Sequence, residues 1–241
     1  MTDFGYKDVA PEEKTRLVER VFTSVAQRYD LMNDMMSLGI HRVWKRRFVS
    51  SCRLKQGDRL LDLAGGTGDI ARLASDRGAQ VSVADINHAM LSVGRGRMDA
   101  EGKVTGLDWL QVNAESLPFC DRSFDHVTIV FGLRNVTHRD AALAEMHRVL
   151  KPGGRVHIME FSKVGLPVLG RLYDTWSFQV MPRLGAAIAR DKESYQYLAE
   201  SIRRFPDQDA LAGLLEEAGF EDVSWENYSA GICAVHRGVR I

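Results

Sequence analysis

The chain of 241 residues has few cysteines, no excess of charge of either sign and no long apolar run. Its three cysteines, Cys52, Cys120 and Cys233, stand far apart. An odd, scattered set makes neither a disulfide framework nor a zinc site. The histidines show no pairing at ligand spacing, so no metal is expected. Lys+Arg and Asp+Glu both count 32, which leaves out the basic bias of a nucleic-acid binder, and no nucleic-acid partner is expected. No stretch nears the ~18 uninterrupted apolar residues of a membrane span. Residues 1–10 are polar and lack the apolar centre of a signal peptide. A reducing cytoplasmic setting is the expectation. Repeats and low-complexity tracts are missing as well.

What is present is an ordinary globular mixture, 45% hydrophobic and 27% charged, long enough for one sizeable core with an elaboration. Residues 11–51 read as helices. Pro11-Glu12-Glu13 is a helix start, and Leu17, Val18, Val21, Phe22, Val25 and Tyr29 recur at helical spacing, chiefly as core packing. From Asp58 the texture changes to short apolar runs between helical stretches. Strands are expected at 59–63, 81–84, 107–112, 124–130 and 155–161, with helices at 70–76, 89–98 and 141–150 between them. This alternation implies a parallel sheet with right-handed crossovers. Residues 163–206 break the rhythm with Pro167, Gly170, Pro182, Gly185 and Pro206, and read as an inserted cover. A helix over 207–218, ending at Gly219, precedes a closing hairpin, 223–228 and 232–236. The expected architecture is α/β and Rossmann-like: a seven-stranded, mostly parallel sheet with a C-terminal antiparallel hairpin. Residues 1–51 form a helical cover, 52–241 the main domain and 163–206 a substrate-covering insert.

The strongest local signal is Leu61-Asp62-Leu63-Ala64-Gly65-Gly66-Thr67-Gly68-Asp69, a strand running through glycines into a helix. Glycine allows the sharp turn and a close backbone approach to a ligand, here at the carboxyl edge of the sheet. Thr67 can cap the helix or bond the cofactor's amino-acid moiety. The loop alone is ambiguous, because Gly66 to Ala71 also fits the dinucleotide fingerprint. Asp85, about 20 residues on, suits the ribose hydroxyls of either cofactor, or serves only as an acid at a helix start. Three features favour S-adenosylmethionine. Asn113-Ala114-Glu115 closes the third strand, where a polar residue can bond adenine. Leu117-Pro118-Phe119 and Ser123-Phe124-Asp125 lead into the fourth. Arg148-Val149-Leu150-Lys151-Pro152-Gly153-Gly154 turns into the fifth. In this order they resemble successive class I methyltransferase motifs. No Tyr is followed four residues later by Lys, which argues against a short-chain dehydrogenase.

Three stretches carry a more specific match: Tyr29-Asp30-Leu31-Met32-Asn33 through Ser37, His41 and Trp44; Phe131-Gly132-Leu133-Arg134-Asn135-Val136; and Arg148 to Gly154 through Glu160-Phe161-Ser162. Tyr197 to Ile202, Pro206-Asp207-Gln208 and His236-Arg237-Gly238 extend it. Together they resemble the ubiquinone/menaquinone biosynthesis C-methyltransferase family over nearly the whole chain. The resemblance implies S-adenosylmethionine as cofactor and a polyprenylated benzoquinol or demethylmenaquinol as substrate. The apolar prenyl tail of such a substrate calls for peripheral membrane contact, the resemblance implies association with other quinone-biosynthesis proteins, and a homodimer is a further partner to be tested. By motif, Thr67, Asp85, Asn113 and Ala114 match cofactor contacts, with Gly66 and Gly68 in the loop. Val130 departs from the pattern, since bacterial relatives often carry a Ser there.

Carbon methylation needs an electron-rich ring, which a deprotonated quinol supplies. The protein aligns the partners and stabilises charge. Arg134 and Asn135, just past the fourth strand, are candidates for this. Arg134 stays protonated, so it could hold a phenolate or a proton-relaying water, or else form a structural ion pair. Asn135 could bond a ring oxygen or merely make a turn. Tyr29, with Asn33 and His41, could close over the pocket, while Met32 and Trp44 read as packing. His138 and Glu160 are lesser base candidates. Residues 164–190, with Arg171, Arg183 and Arg190 among apolar residues, suit an interface helix, a lid or a dimer contact. Two other functions stay open: an NAD-dependent oxidoreductase, resting on Gly66 to Ala71 and Asp85, and a cofactor-binding scaffold without turnover.

Overall fold

The alternating strands and helices assemble, in a computed structural model of the chain, around one seven-stranded sheet. The structure describes residues 1–37, 39–102, 105–165, 170, 173, 175–180 and 192–241. Two short strands come first. β1 (Thr2–Phe4) and β2 (Lys7–Val9) pair antiparallel around Gly5, which has a φ of +57°. This hairpin was not expected from the sequence, because three-residue strands are too short to show a period. Three helices follow: α1 (Pro11–Val25), α2 (Tyr29–Ser37) and α3 (His41–Ser51). Pro11 sits in the first turn of α1 with Glu12 and Glu13, where a missing N–H costs nothing and negative charge meets the helix dipole.

The main sheet is built from β3 (Arg59–Leu63), β4 (Gln80–Asp85), β5 (Leu107–Gln111), β6 (Phe124–Val130), β7 (Leu150–Phe161), β8 (Glu221–Tyr228) and β9 (Cys233–Val239). Between them lie α4 (Asp69–Ser75), α5 (His88–Ala100), α6 (Arg139–Val149), α7 (Lys192–Arg204) and α8 (Gln208–Glu217). The spatial order is β5-β4-β3-β6-β7-β9-β8. The four pairs of neighbours from β5 to β7 are parallel, and β9 runs antiparallel to both β7 and β8. The expected hairpin is there, with its second strand inserted against β7 and its first left at the edge. The Lys151–Gly154 turn lies within β7, where the register against β6 shifts and Gly153 has a φ of +79°.

Period-two alternation sorts the sheet's side chains onto two faces. Leu60, Val81 and Val83 pack with Val18, Val21, Trp44 and Phe48 of the helical cover. Leu61, Leu63, Val127 and Ile129 pack with Leu143, Met146 and Leu211. Central strands buried on both faces read as continuous apolar runs, which is why they were visible in the sequence. Trp44 is buried, as expected of a packing residue, whereas the Met32 side chain lies outside the described residues. The chain winds outward from β3 through β4 to β5, then returns to place β6 on the other side of β3. This reversal opens a crevice at the carboxyl ends of β3 and β6, the place where open α/β sheets bind ligands. Most of 164–190, including Arg171, Arg183 and Arg190, lies outside the described residues.

Candidate active site

The crevice is a cleft of ≈ 840 Å³ between the sheet's carboxyl edge and helix α1. Its floor is the loop after β3. Ala64, Gly66 and Gly68 all have positive φ, so the backbone curls tightly, and the amides of Gly65 and Gly68 donate to Ala84 O at 3.2 Å and Gly65 O at 2.9 Å. Beside the loop, Asp85 ends β4. Its carboxyl accepts N–H bonds from Gly66 at 3.0 Å and Asn87 at 2.8 Å. Burial pushes its pKa up to about 6 against those bonds. Asn87 caps α5, accepting from Met90 N at 3.0 Å, and its amide reaches the hydroxyl of Thr23 in α1 at 2.8 Å. The cover is thereby tied to the Asp85 end of the cleft. Ile86, Met90 and Val112 supply apolar walls there, and Asn113 and Ala114 line the far end. The Asn113 side chain accepts from Glu115 N at 3.0 Å. Glu115 in turn accepts from the backbone of Thr137 and His138 at 3.0 and 3.1 Å, joining this end to the turn after β6.

A second recess of ≈ 300 Å³ lies behind the glycine loop, lined by Tyr29, Lys45, Asp62, Thr67, Asp69 and Val130 among others. Lys45 Nζ pairs with Asp69 Oδ2 at 2.6 Å. Asp62 is 1% exposed. Its Oδ1 accepts from the Thr128 hydroxyl at 2.8 Å, while Oδ2 has no partner among the described residues. Burial pushes this carboxyl up to about 7. Sequence reasoning missed Asp62, Lys45 and Asp69. The available signal was an acid inside the otherwise apolar run Leu60-Leu61-Asp62-Leu63.

The expected residues are distributed as follows. Gly66, Asp85, Asn113, Ala114, Tyr29 and Asn135 line the large cleft together, and Thr67 lines the recess. Gly68 lines neither. It caps α4 with a φ of +79°, and a Cβ there would lie 2.6 Å from the Trp109 ring, so its need is conformational and steric. Asn33 and His41 line neither cavity; His41 instead pairs with Asp34 at 2.9 Å and ties α2 to α3. His138 is exposed outside the cleft.

Arg134 calls for a correction. It is 2% exposed and does not line the cleft. Its Nη1 donates to Phe131 O at 2.6 Å and to both oxygens of Glu160, at 3.1 and 2.9 Å. Glu160 also accepts from the backbone of Arg134 and Phe161. Burial raises the Glu160 carboxyl, opposed chiefly by Arg134. Nη1 is thus committed to the structural ion pair that the sequence left open for Arg134, and it holds the turn that carries Asn135. Glu160, equally committed, is no free base. The turn itself is strained: Phe131 has a φ of +56°, and a Cβ on Gly132 would collide with that of Ala64. Tyr29 forms a wall shared by both cavities, and burial raises its phenol, which stays neutral.

The donor set fits S-adenosylmethionine. Asp85 suits vicinal hydroxyls, the apolar walls suit a purine, and the recess offers an unpartnered carboxyl oxygen and a lysine to a zwitterionic amino-acid tail. Comparison with known proteins agrees. The model of the ubiE/COQ5 methyltransferase family matches residues 8–240. The ubiquinone/menaquinone biosynthesis C-methyltransferase UbiE of Xanthomonas campestris pv. campestris is 57% identical, covering 100% of this chain and 96% of the relative. The protein of the same name from Coxiella burnetii is 55% identical, covering 99% and 97%. Among solved structures, a methyltransferase of Thermotoga maritima described as a possible histamine N-methyltransferase superposes with a TM-score of 0.67, at 23% identity, over 93% of this chain and 100% of that one. A phosphoethanolamine N-methyltransferase of Haemonchus contortus, solved with S-adenosylhomocysteine, gives 0.61 at 19% identity over 82% of this chain and 52% of that one. These distant likenesses carry the fold; the family match carries the chemistry, and nothing in it supports an NAD-dependent oxidoreductase. From its glycine loop to its closing hairpin, the chain belongs to the ubiE/COQ5 methyltransferase family.

Proposed function

We propose that this enzyme uses S-adenosylmethionine to methylate a ring carbon of a polyprenylated benzoquinol, of demethylmenaquinol, or of both. One observation carries the reading. A single cleft is lined by the cofactor-type residues Asp85, Asn113 and Ala114 and also by Tyr29 and Asn135, which supports a cofactor and a ring meeting there. When bound, S-adenosylmethionine supplies an electrophilic methyl group. Asp85 would receive its ribose hydroxyls, Asn113 and Ala114 its adenine, and Thr67, Lys45 and Asp62 its amino-acid end. Gly66 admits it closely. Asn135 bonds a ring oxygen, favouring the deprotonated quinol whose ring carbons are nucleophilic. Arg134 positions Asn135 through the Phe131–Asn135 turn. The cover of residues 1–51 closes one side of the cleft through Thr15, Val18, Phe22 and Tyr29, helping to exclude water.

The substrate's prenyl chain is lipid-soluble, so we place the protein in the cytoplasm with peripheral contact at the membrane. No helix among the described residues is long and apolar enough to cross one. A homodimer and contacts with other quinone-biosynthesis proteins belong to the same reading. The test is incubation of the purified protein with methyl-labelled S-adenosylmethionine and two chemically reduced short-prenyl acceptors, a demethyl-benzoquinol and demethylmenaquinol. Label in either product supports the reading and assigns the branch. Cofactor binding without transfer to either, with lipid present, favours the scaffold alternative.

A further inference from the structure

Asn135 stands at the cleft with an amide that has two chemically opposite ends. Its carbonyl can only accept a hydrogen bond and its amino group can only donate. Which end faces the substrate decides whether the residue favours a ring hydroxyl or a ring oxyanion. The described residues around it settle the choice. Tyr197, on α7, is 4% exposed, and its hydroxyl donates to Asn135 Oδ1 at 2.9 Å. Burial raises the Tyr197 phenol well above its ordinary value, with Arg134 opposing, so the hydroxyl keeps its proton over the whole working range. On the other side, Nδ2 makes only a long contact of 3.5 Å to Phe131 O, an oxygen already held by Arg134 at 2.6 Å. No described residue accepts from the second amide N–H.

The Tyr197 ring is itself seated. Phe4 of β1 stacks on it at 4.2 Å with an interplanar angle of 16°. The hairpin carrying Phe4 is fastened at three points. Tyr6 N donates to Glu200 at 3.0 Å, Arg204 reaches Asp8 at 3.2 Å, and Asp3 pairs at 3.2 Å with Lys14, whose Nζ also donates to Val136 O beside Asn135. A stack at the end of the chain thus holds a phenol, and the phenol holds an amide.

We propose that Tyr197 is a positioning residue: by donating to Asn135 Oδ1 it locks the amide so that an N–H donor faces the ring oxygen. This rests on the proposed quinol substrate and deepens it. The locked donor stabilises the oxyanion more than the neutral hydroxyl, so it lowers the pKa of the bound phenol and raises the fraction of nucleophilic ring at neutral pH. Without the Tyr197 hydroxyl the amide turns freely, and its carbonyl faces the oxyanion for part of the time.

Tyr197→Phe removes the hydroxyl and keeps the stack. The expected result is a kcat at pH 7 reduced on the order of tenfold, an acid limb of the kcat profile moved up by about one pH unit, and a cofactor Kd within about twofold of the parent. In an Asn135→Ala background, Tyr197→Phe should cost nothing further. A second readout needs no turnover. With S-adenosylhomocysteine bound, the parent should lower the pKa of added 4-nitrophenol, followed by its absorbance, and Tyr197→Phe should abolish most of that shift. Equal shifts in both proteins, no shift in the parent, or an undiminished Tyr197→Phe effect without Asn135 would overturn the assignment. A parent that shifts 4-nitrophenol but methylates neither quinol counts against the substrate, not against Tyr197.

Discussion

Asp62 shows how a single buried carboxyl can couple folding to pH. Its folded pKa of about 7 lies above the ordinary value near 4, so the folded chain holds this proton more tightly than the unfolded one does. The resulting stability is complete at low pH and is lost as pH rises through 7. Asp62→Asn cannot ionise. Its stability relative to the parent should improve by about 2–3 kcal/mol between pH 5 and pH 8, read from urea midpoints. No change in that difference would remove Asp62 as a titrating group. Asp85 differs because it already receives two backbone N–H bonds. Asp85→Ala should weaken cofactor binding by roughly 1–3 kcal/mol in calorimetry; an unchanged affinity would take it out of the site. Arg134→Ala strands the Glu160 carboxylate in the core. It should cost about 3–5 kcal/mol of stability in chemical denaturation. Lost turnover with parental stability would restore Arg134 to the substrate. Asp85 was legible as a cleft residue because it closes a strand at the sheet's carboxyl edge. The committed role of Arg134 was not, since Glu160 is 26 residues away and its pairing depends on β6 and β7 lying side by side.

At the scale of elements, the loop after β3 and the turn after β6 form one unit. The Gly132 backbone sits so close to Ala64 that no Cβ fits between them. Gly132→Ala should push the two apart and lower both cofactor affinity and stability, each by about 1–3 kcal/mol. Parental calorimetry and melting together would show that the contact is dispensable. The elements that bear these turns were readable because buried strands and amphipathic helices leave strong periods. The N-terminal hairpin was not. Its strands hold three residues each, and its meaning lies in Phe4 meeting Tyr197, nearly the whole length of the chain away. The recess was hidden for a similar reason: Lys45 comes from α3 and Asp62 from β3, and only packing brings them together.

For the whole molecule, strand order does the decisive work. Reversal between β3 and β6 creates the crevice, and α1 and α2 wall it with side chains, Val18, Phe22 and Tyr29, that also pack on the core. On the proposed reading, cofactor and acceptor meet in this cleft, where a donor such as Asn135 acts more strongly than it would in solution. The central claim is that this space delivers a methyl group to carbon of an electron-rich ring. The most direct measurement is a single-turnover reaction of the cofactor-loaded enzyme with demethyl-benzoquinol and demethylmenaquinol, each in reduced and oxidised form, with mass spectrometry locating the new methyl. The account predicts a ring-carbon methyl on a reduced acceptor and none on its quinone. A methyl ether on oxygen, or equal transfer to the oxidised ring, would contradict it.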